Sequence, residues 1–278
     1  MKQLRHGRFA RTRVPAKNYQ HPNTLAKRQA RGVSVADRLS DTAAHHRVRW
    51  GSPFGWEDRG VPIELPAGVL GVVFDVGETL VDESRAWSRQ AEAAGVTPFT
   101  LMGLLGALIA RGEDHRRVWA LLGIEKPAAR TLIEEADLYP DALPCLRAVD
   151  ERGLVVGIAG NQPAGVEAQL RAAGFSPHFL ASSAAWGVEK PSPEFFDRVV
   201  AEAGLEPGAI LYVGDRLDND VLPARAAGMR TGFIRRGPWG HLHAQRPEAR
   251  LADLRLNTLA ELTDAMVAGR PAETLAPS

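Results

Sequence analysis

The stretch Val69-Leu70-Gly71-Val72-Val73-Phe74-Asp75-Val76-Gly77-Glu78-Thr79-Leu80 decides the fold of this 278-residue chain. Its opening residues are apolar, partly β-branched and uncharged, the pattern of a strand buried on both faces in a parallel sheet. The run stops at a carboxylate, Asp75, with a glycine two residues later. Ligands of open α/β sheets gather beyond the carboxyl ends of the strands, so Asp75 is expected to serve there as a nucleophile or a metal ligand.

Outward from this stretch, further short apolar runs follow at Leu154–Ala159, Ile210–Val213 and Thr231–Ile234, with a weaker candidate at Phe179–Ser182. Helical stretches separate them, the alternation of a doubly wound parallel sheet. Ala93-Ala94-Gly95, Ala172-Ala173-Gly174, Ala203-Gly204 and Ala226-Ala227-Gly228 recur as helix ends, each glycine followed by an apolar residue that folds back on the last turn. Their irregular spacing marks punctuation and not a solenoid. Between Glu83 and Tyr139 the pattern turns to helices without strands, around residues 85–94, 98–110, 114–122 and 127–136. Inserted directly after the Asp75 strand, they are expected to form a small cap over its carboxyl end.

The net charge of +1 conceals an asymmetry. Residues 1–50 carry twelve Lys/Arg against two acids, so the remainder is acidic, with 22 bases against 31 acids. A basic arm suits nucleic acid, an anionic surface or the acidic body itself, but an unstructured extension or a leader explains it as well. Aromatic residues there are too sparse for a base-stacking platform. The expected boundaries are a poorly ordered extension over 1–66, a core over 67–83 and 139–265, a helical cap over 84–138 and a tail over 266–278. One cysteine, Cys145, excludes an internal disulfide and fits a reducing, cytoplasmic setting. The most apolar segment, Leu101–Ala110, is too short to span a bilayer and reads as a buried helix.

Three more polar clusters follow the runs: Gly160-Asn161-Gln162, Lys190-Pro191-Ser192-Pro193 and Gly214-Asp215 with Asn219-Asp220. Singly, each could be a helix cap or a turn former. In this order, with Phe74-Asp75 and Thr79-Leu80, the set resembles the haloacid dehalogenase-like hydrolase superfamily over about 200 residues, its phosphatase-type branch with a helical cap after the first motif. Gly214-Asp215…Asn219-Asp220-Val221…Ala224-Arg225-Ala226-Ala227-Gly228-Met229 is its most specific part, and Leu138-Tyr139-Pro140-Asp141 resembles the family's return from cap to core. The resemblance implies a Rossmann-like core and a Mg²⁺-dependent hydrolase of a small phosphorylated metabolite. Asp75 would then attack phosphorus to form an aspartyl-phosphate, Asp75, the Gly77 carbonyl, Asp215 and Asp220 would hold Mg²⁺, and Lys190 would neutralise charge. Asn161 and the backbone around Gly160 would bind phosphate oxygens.

Two positions depart from the family pattern. Family phosphatases place a second Asp where this chain has Gly77, and a Ser or Thr where it has Gly160. General acid–base catalysis is typically worth about 10² to 10⁴ in rate, so slow turnover is one expectation. Glu78 is a candidate replacement, although an extended backbone would point it elsewhere. A non-catalytic binding protein is a second reading, and carbon–halogen hydrolysis a third; that branch also lacks the second Asp but carries Tyr at the Gly77 position and works without metal. His45-His46 and His241-x-His243 have no partners at zinc-like spacing. Arg235-Arg236 could line the pocket edge or pack in a turn, and Trp87 and Trp119 are expected in the core before a substrate contact.

Overall fold

The computed structural model describes residues 63–129 and 131–268. In chain order they form β1 (Gly71–Phe74), α1 (Ser84–Ala93), α2 (Pro98–Ala110), α3 (Val118–Leu121), α4 (Ala142–Glu151), β2 (Val155–Gly160), α5 (Val166–Ala172), β3 (Phe179–Ser182), α6 (Ser183–Trp186), α7 (Pro193–Ala203), β4 (Ile210–Gly214), α8 (Leu222–Ala226), β5 (Arg230–Ile234), α9 (Gly237–His243), β6 (Leu254–Leu256) and α10 (Leu259–Ala268). The six strands are parallel in the order β3-β2-β1-β4-β5-β6. This is the doubly wound, Rossmann-like α/β sheet, with β1 between β2 and β4.

The strand pleat divides the core in two. Val72 and Phe74 face one side, with Val156, Ile158, Leu211 and Val213, against Cys145 and Val149 of α4 and Leu259 and Leu262 of α10. Val73 faces the other side, with Phe195, Phe196 and Val199 of α7 and Tyr212 of β4. Full burial of each such side chain stabilises the fold by roughly 1.5–3 kcal/mol, which is why an uncharged run could be assigned to the sheet interior. β6 escaped that reading because it is three residues long with Arg255 at its centre. The four recurring helix ends place Gly95, Gly174, Gly204 and Gly228 at φ of 69°, 105°, 63° and 87°, the left-handed region.

The helices that follow β1 build their own cluster from Ala91, Leu101, Leu108, Val118 and Trp119, flanked by Trp87. Leu105 and Ile109 of α2 rest on Trp239 of α9, joining this layer to the core. The segment over 127–136 is a correction: its described residues form no α-helix, only a short turn at Glu135–Asp137. Its backbone is tied instead by side chains, Gln90 donating to the Ala129 carbonyl at 2.7 Å, Arg85 to Leu132 at 2.7 Å and Gln169 accepting from the Ile133 N–H at 2.9 Å. Two outer boundaries also move. Ile63 and Leu65, expected in the extension, pack against the core, and α10 runs past 265 with Met266 buried. The rest of the basic arm, His45-His46 and residues 269–278 lie outside the described residues.

Arg235-Arg236 resolves as a packed turn. Arg236 is buried, donates to the Thr79 carbonyl at 2.8 Å, pairs with Asp141 and lies over the Tyr139 ring at 4.1 Å. His243 is buried too, and its Nδ1 accepts the Leu217 N–H at 3.1 Å. Burial lowers its pKa to about 4, with Asp218 opposing and Arg246 and Arg216 adding to the fall. A histidine held below its unfolded value of about 6.5 gives stability that is complete above that pH and lost as pH falls toward 4. Chemical denaturation at pH 7 and pH 4.5 should show roughly 2–3 kcal/mol lost through this group, a loss absent from His243→Asn, which keeps an acceptor for Leu217. Equal pH dependence in the two proteins would contradict it.

Candidate active site

Asp75 continues β1 by one residue, its N–H donating to the Val213 carbonyl at 2.8 Å. The backbone then closes a tight loop, with Leu80 and Val81 N–H groups both returned to the Val76 carbonyl at 2.9 and 3.0 Å. Asp215 directly follows β4, and Asp220 lies in the wide turn Leu217–Val221 beyond it. Lys190 comes from the loop between α6 and α7. The sheet order places β4 next to β1, so these groups converge at one edge of the carboxyl ends.

Lys190 is the hub. Its Nζ donates to Asp75 Oδ1 at 2.7 Å and to Asp220 Oδ1 at 2.5 Å, with all three groups buried. Burial lowers its pKa, but the charges of Asp220 and Asp75 outweigh that and hold it well above the ordinary value. The other Asp220 oxygen accepts the Arg216 N–H at 2.9 Å. Burial raises Asp220 to about 6, against the opposing Lys190 charge and with Asp75 adding to the rise.

Carboxylate oxygens of Asp75, Asp215 and Asp220 lie within 4.8 Å of one another. One lysine serves the first and last of them, while Asp215 Oδ2 is buried without a hydrogen-bond partner. Burial and the charges of Asp220 and Asp75 push Asp215 well above the carboxylate range. An oxygen-rich, electron-dense cluster with an orphaned buried acceptor fits a hard divalent cation. These residues could hold a metal ion.

Asn161 behaves differently from the expectation. Its side-chain oxygen accepts the Lys190 N–H at 2.7 Å and its amide donates to the Lys190 carbonyl at 2.9 Å. Both ends of the side chain thus clamp the backbone that carries the lysine. Gly160 gives room: a Cβ there would stand 2.5 Å from Asp75 Oδ1, so any side chain at this position displaces Asp75. Glu78 turns away to the Tyr139 hydroxyl at 2.6 Å, with φ of 51°. Burial raises its pKa, and the Tyr139 bond partly offsets the rise.

Sequence reasoning missed Glu83, the residue just before α1. A Cβ on Gly77 would meet the Glu83 carboxylate oxygens at 2.6 and 3.2 Å. The Glu83 carboxylate therefore fills the space into which a side chain at 77 would grow. It is half-buried, and Trp87 and Gln162 face it as donors that favour its ionised form. Burial raises its pKa to about 7, helped by the charges of Glu78 and Asp75. The available signal was indirect, since a bare glycine beside a nucleophile leaves a volume that some other side chain must fill.

The crowding at Asp215 yields a test. A carboxyl raised by the fold weakens folding wherever it is ionised, above the ordinary carboxylate range. Asp215→Asn should therefore raise the melting temperature at pH 7 in chelator, by roughly 2–4 °C for each kcal/mol released. Mg²⁺ or Mn²⁺ should raise the melting temperature of the unaltered protein, and Asp215→Asn should abolish that shift. A lowered melting temperature, or an unchanged metal shift, would contradict the crowding.

Comparison with known proteins agrees with this geometry. The pattern of the haloacid dehalogenase-like hydrolases matches residues 69–228. The chain is 34% identical over 129 residues to the glyceraldehyde 3-phosphate phosphatase of Methanopyrus kandleri, covering 45% of this chain and 55% of that protein. It is 33% identical over 127 residues to the phosphoserine phosphatase of Thermus thermophilus, covering 45% and 51%. The chain thus spans about half the length of these curated relatives. Among solved structures, an L-2-haloacid dehalogenase from Xanthobacter autotrophicus superposes with a TM-score of 0.54 at 18% identity, covering 73% of this chain and all of that one (100%). A predicted phosphoglycolate phosphatase from Haemophilus somnus gives 0.52 at 19% identity, covering 71% and 98%. These two likenesses show the fold alone. With the family pattern spanning more than half of the chain and the Asp75, Asn161, Lys190 and Asp215/Asp220 clusters gathered at the carboxyl ends of the central strands, the protein belongs to the haloacid dehalogenase-like hydrolases.

Proposed function

We propose that this protein is a Mg²⁺-dependent phosphatase-type hydrolase that cleaves a small phosphorylated metabolite through an aspartyl-phosphate on Asp75. One observation carries the reading: Lys190 joins Asp75 to Asp220 while Oδ2 of Asp215, beside them, is buried without a hydrogen-bond partner. The phosphatase names of the two relatives point the same way. Asp75, Asp215 and the Gly77 carbonyl would hold Mg²⁺, with Asp220 next to them. When bound, the ion screens phosphate charge so that a carboxylate can approach phosphorus.

The chain's own residues divide the remaining work. Asp75 Oδ attacks phosphorus in line, and Lys190 counters the negative charge that gathers between Asp75 and the phosphoryl oxygens. Asn161 acts on substrate indirectly, by fixing the Lys190 backbone. Asp220 sets the lysine's head group from the opposite side. The helical layer α1–α3 serves as the cap that shapes the substrate pocket. A carbon–halogen hydrolase working without metal would leave three buried carboxylates around one lysine, and that electrostatic cost favours the phosphatase. No single described helix is long and apolar enough to cross a membrane. We also propose a cytoplasmic enzyme, acting on a small metabolite in preference to nucleic acid.

A panel of phosphomonoesters assayed with Mg²⁺ and with chelator tests the reading. Phosphate release should require Mg²⁺ and fall by at least about 10³-fold in Asp75→Asn. Release that survives either the substitution or chelation would refute it.

A further inference from the structure

Hydrolysis of a phosphate ester needs more than a nucleophile. A proton must reach the departing oxygen, and a base must then take one from water. Among the acids gathered at this site, most are committed. Asp75 and Asp220 share Lys190, and Asp220 also holds the Arg216 N–H. Asp215 belongs to the carboxylate cluster and is buried. Glu78 is buried, accepts from Tyr139 at 2.6 Å and accepts the Glu83 N–H at 3.2 Å.

Glu83 stands apart from all of these. It is half-buried, and no cation of a described residue pairs with it. Its carboxylate lies against bare Gly77, two residues beyond Asp75, and near Gln162, next to the Asn161 clamp. We propose that Glu83 supplies the acid/base carboxylate of this site, reaching from the start of α1 into the space left open by Gly77. The assignment rests on the phosphatase reading. As Asp75 Oδ bonds to phosphorus and the ester P–O bond breaks, the Glu83 carboxylic acid gives its proton to the leaving oxygen. The resulting carboxylate then takes a proton from a water whose oxygen attacks the aspartyl-phosphate. The bond from phosphorus to Asp75 breaks, Asp75 returns as a carboxylate, and Glu83 regains its proton. The sum is ester plus water to alcohol plus phosphate.

The location of this carboxylate also predicts how position 77 responds to substitution. Gly77→Asp alone forces a second carboxylate onto the Glu83 oxygens, so it should not help. Gly77→Asp combined with Glu83→Ala has room for the new side chain.

The test compares p-nitrophenyl phosphate, whose leaving group needs no proton, with a simple alkyl phosphate, whose leaving group does. Glu83→Gln, nearly the same shape, should lower kcat on the alkyl ester by about 10²-fold or more. With p-nitrophenyl phosphate, formation of the phosphoenzyme should change little while its breakdown slows, so labelled phosphoenzyme accumulates in single-turnover quench. Glu83→Ala should fail likewise, and adding Gly77→Asp should restore at least about tenfold on the alkyl ester. Equal losses on both esters without phosphoenzyme accumulation, or no loss at all, would overturn the assignment while leaving the phosphatase reading intact. Unaltered protein inert to both esters with Mg²⁺ would overturn the phosphatase reading, and the Glu83 role with it.

Discussion

Three carboxylates whose oxygens lie within 4.8 Å of one another, all buried, remain ionised only if positive charge is delivered to the same place. Lys190 delivers the part of that charge built into the chain, and much of the surrounding structure keeps it there. Asn161 grips its backbone from the end of β2, Asp220 grips its ammonium from beyond β4, and Tyr212 and Phe195 place aromatic rings at 5.5 and 5.8 Å. Breaking a buried pair of this kind costs about 3–5 kcal/mol, because the surviving charge is left without compensation. The cluster is thus under-neutralised by its lysine, since one ammonium balances only one of the three carboxylates.

Glycine makes this density feasible. Gly160 leaves the space beside Asp75, Gly214 the space beside Asp220, Gly77 the space beside Glu83 and Gly237 the space beside Glu78. In each case a carboxylate occupies the volume of an absent side chain. The two glycines that look like losses in the sequence are therefore filled positions in three dimensions. Gly77 and Glu83 form one unit, contributed by the loop after β1 and by the residue that precedes α1. The proposed role of Glu83 would make the start of α1 part of the site's chemistry.

The fold was legible because its central strands are uncharged runs ending on polar clusters, a pattern that survives without any knowledge of partners. The convergence of Asp75, Asp215 and Asp220 was legible for the same reason, since these acids lie at or just beyond the ends of β1 and β4, while Lys190 reaches them from the loop before α7. What could not be read depends on contacts between distant side chains. The segment over 127–136 has helix-compatible composition, yet in its described residues Arg85, Gln90 and Gln169 bond backbone groups of Leu132, Ala129 and Ile133 that a helix would pair internally. Asn161 was legible as a polar residue just past β2, but its clamp on the lysine backbone needs the folded loop to be seen. Glu83 carries no motif of its own, and only the bare Cα of Gly77 gives it meaning. β6 fell below notice because three residues with a central arginine make no apolar run.

The most direct measurement is the chemical identity of the trapped intermediate. Protein quenched during turnover with Mg²⁺ and a phosphate ester, then reduced with borohydride, converts an acyl-phosphate on aspartate to homoserine, which peptide mass spectrometry can locate. Homoserine is expected at position 75, and none in protein treated without substrate. Turnover that leaves position 75 as aspartate, or a reduced residue at any other acid, would contradict it.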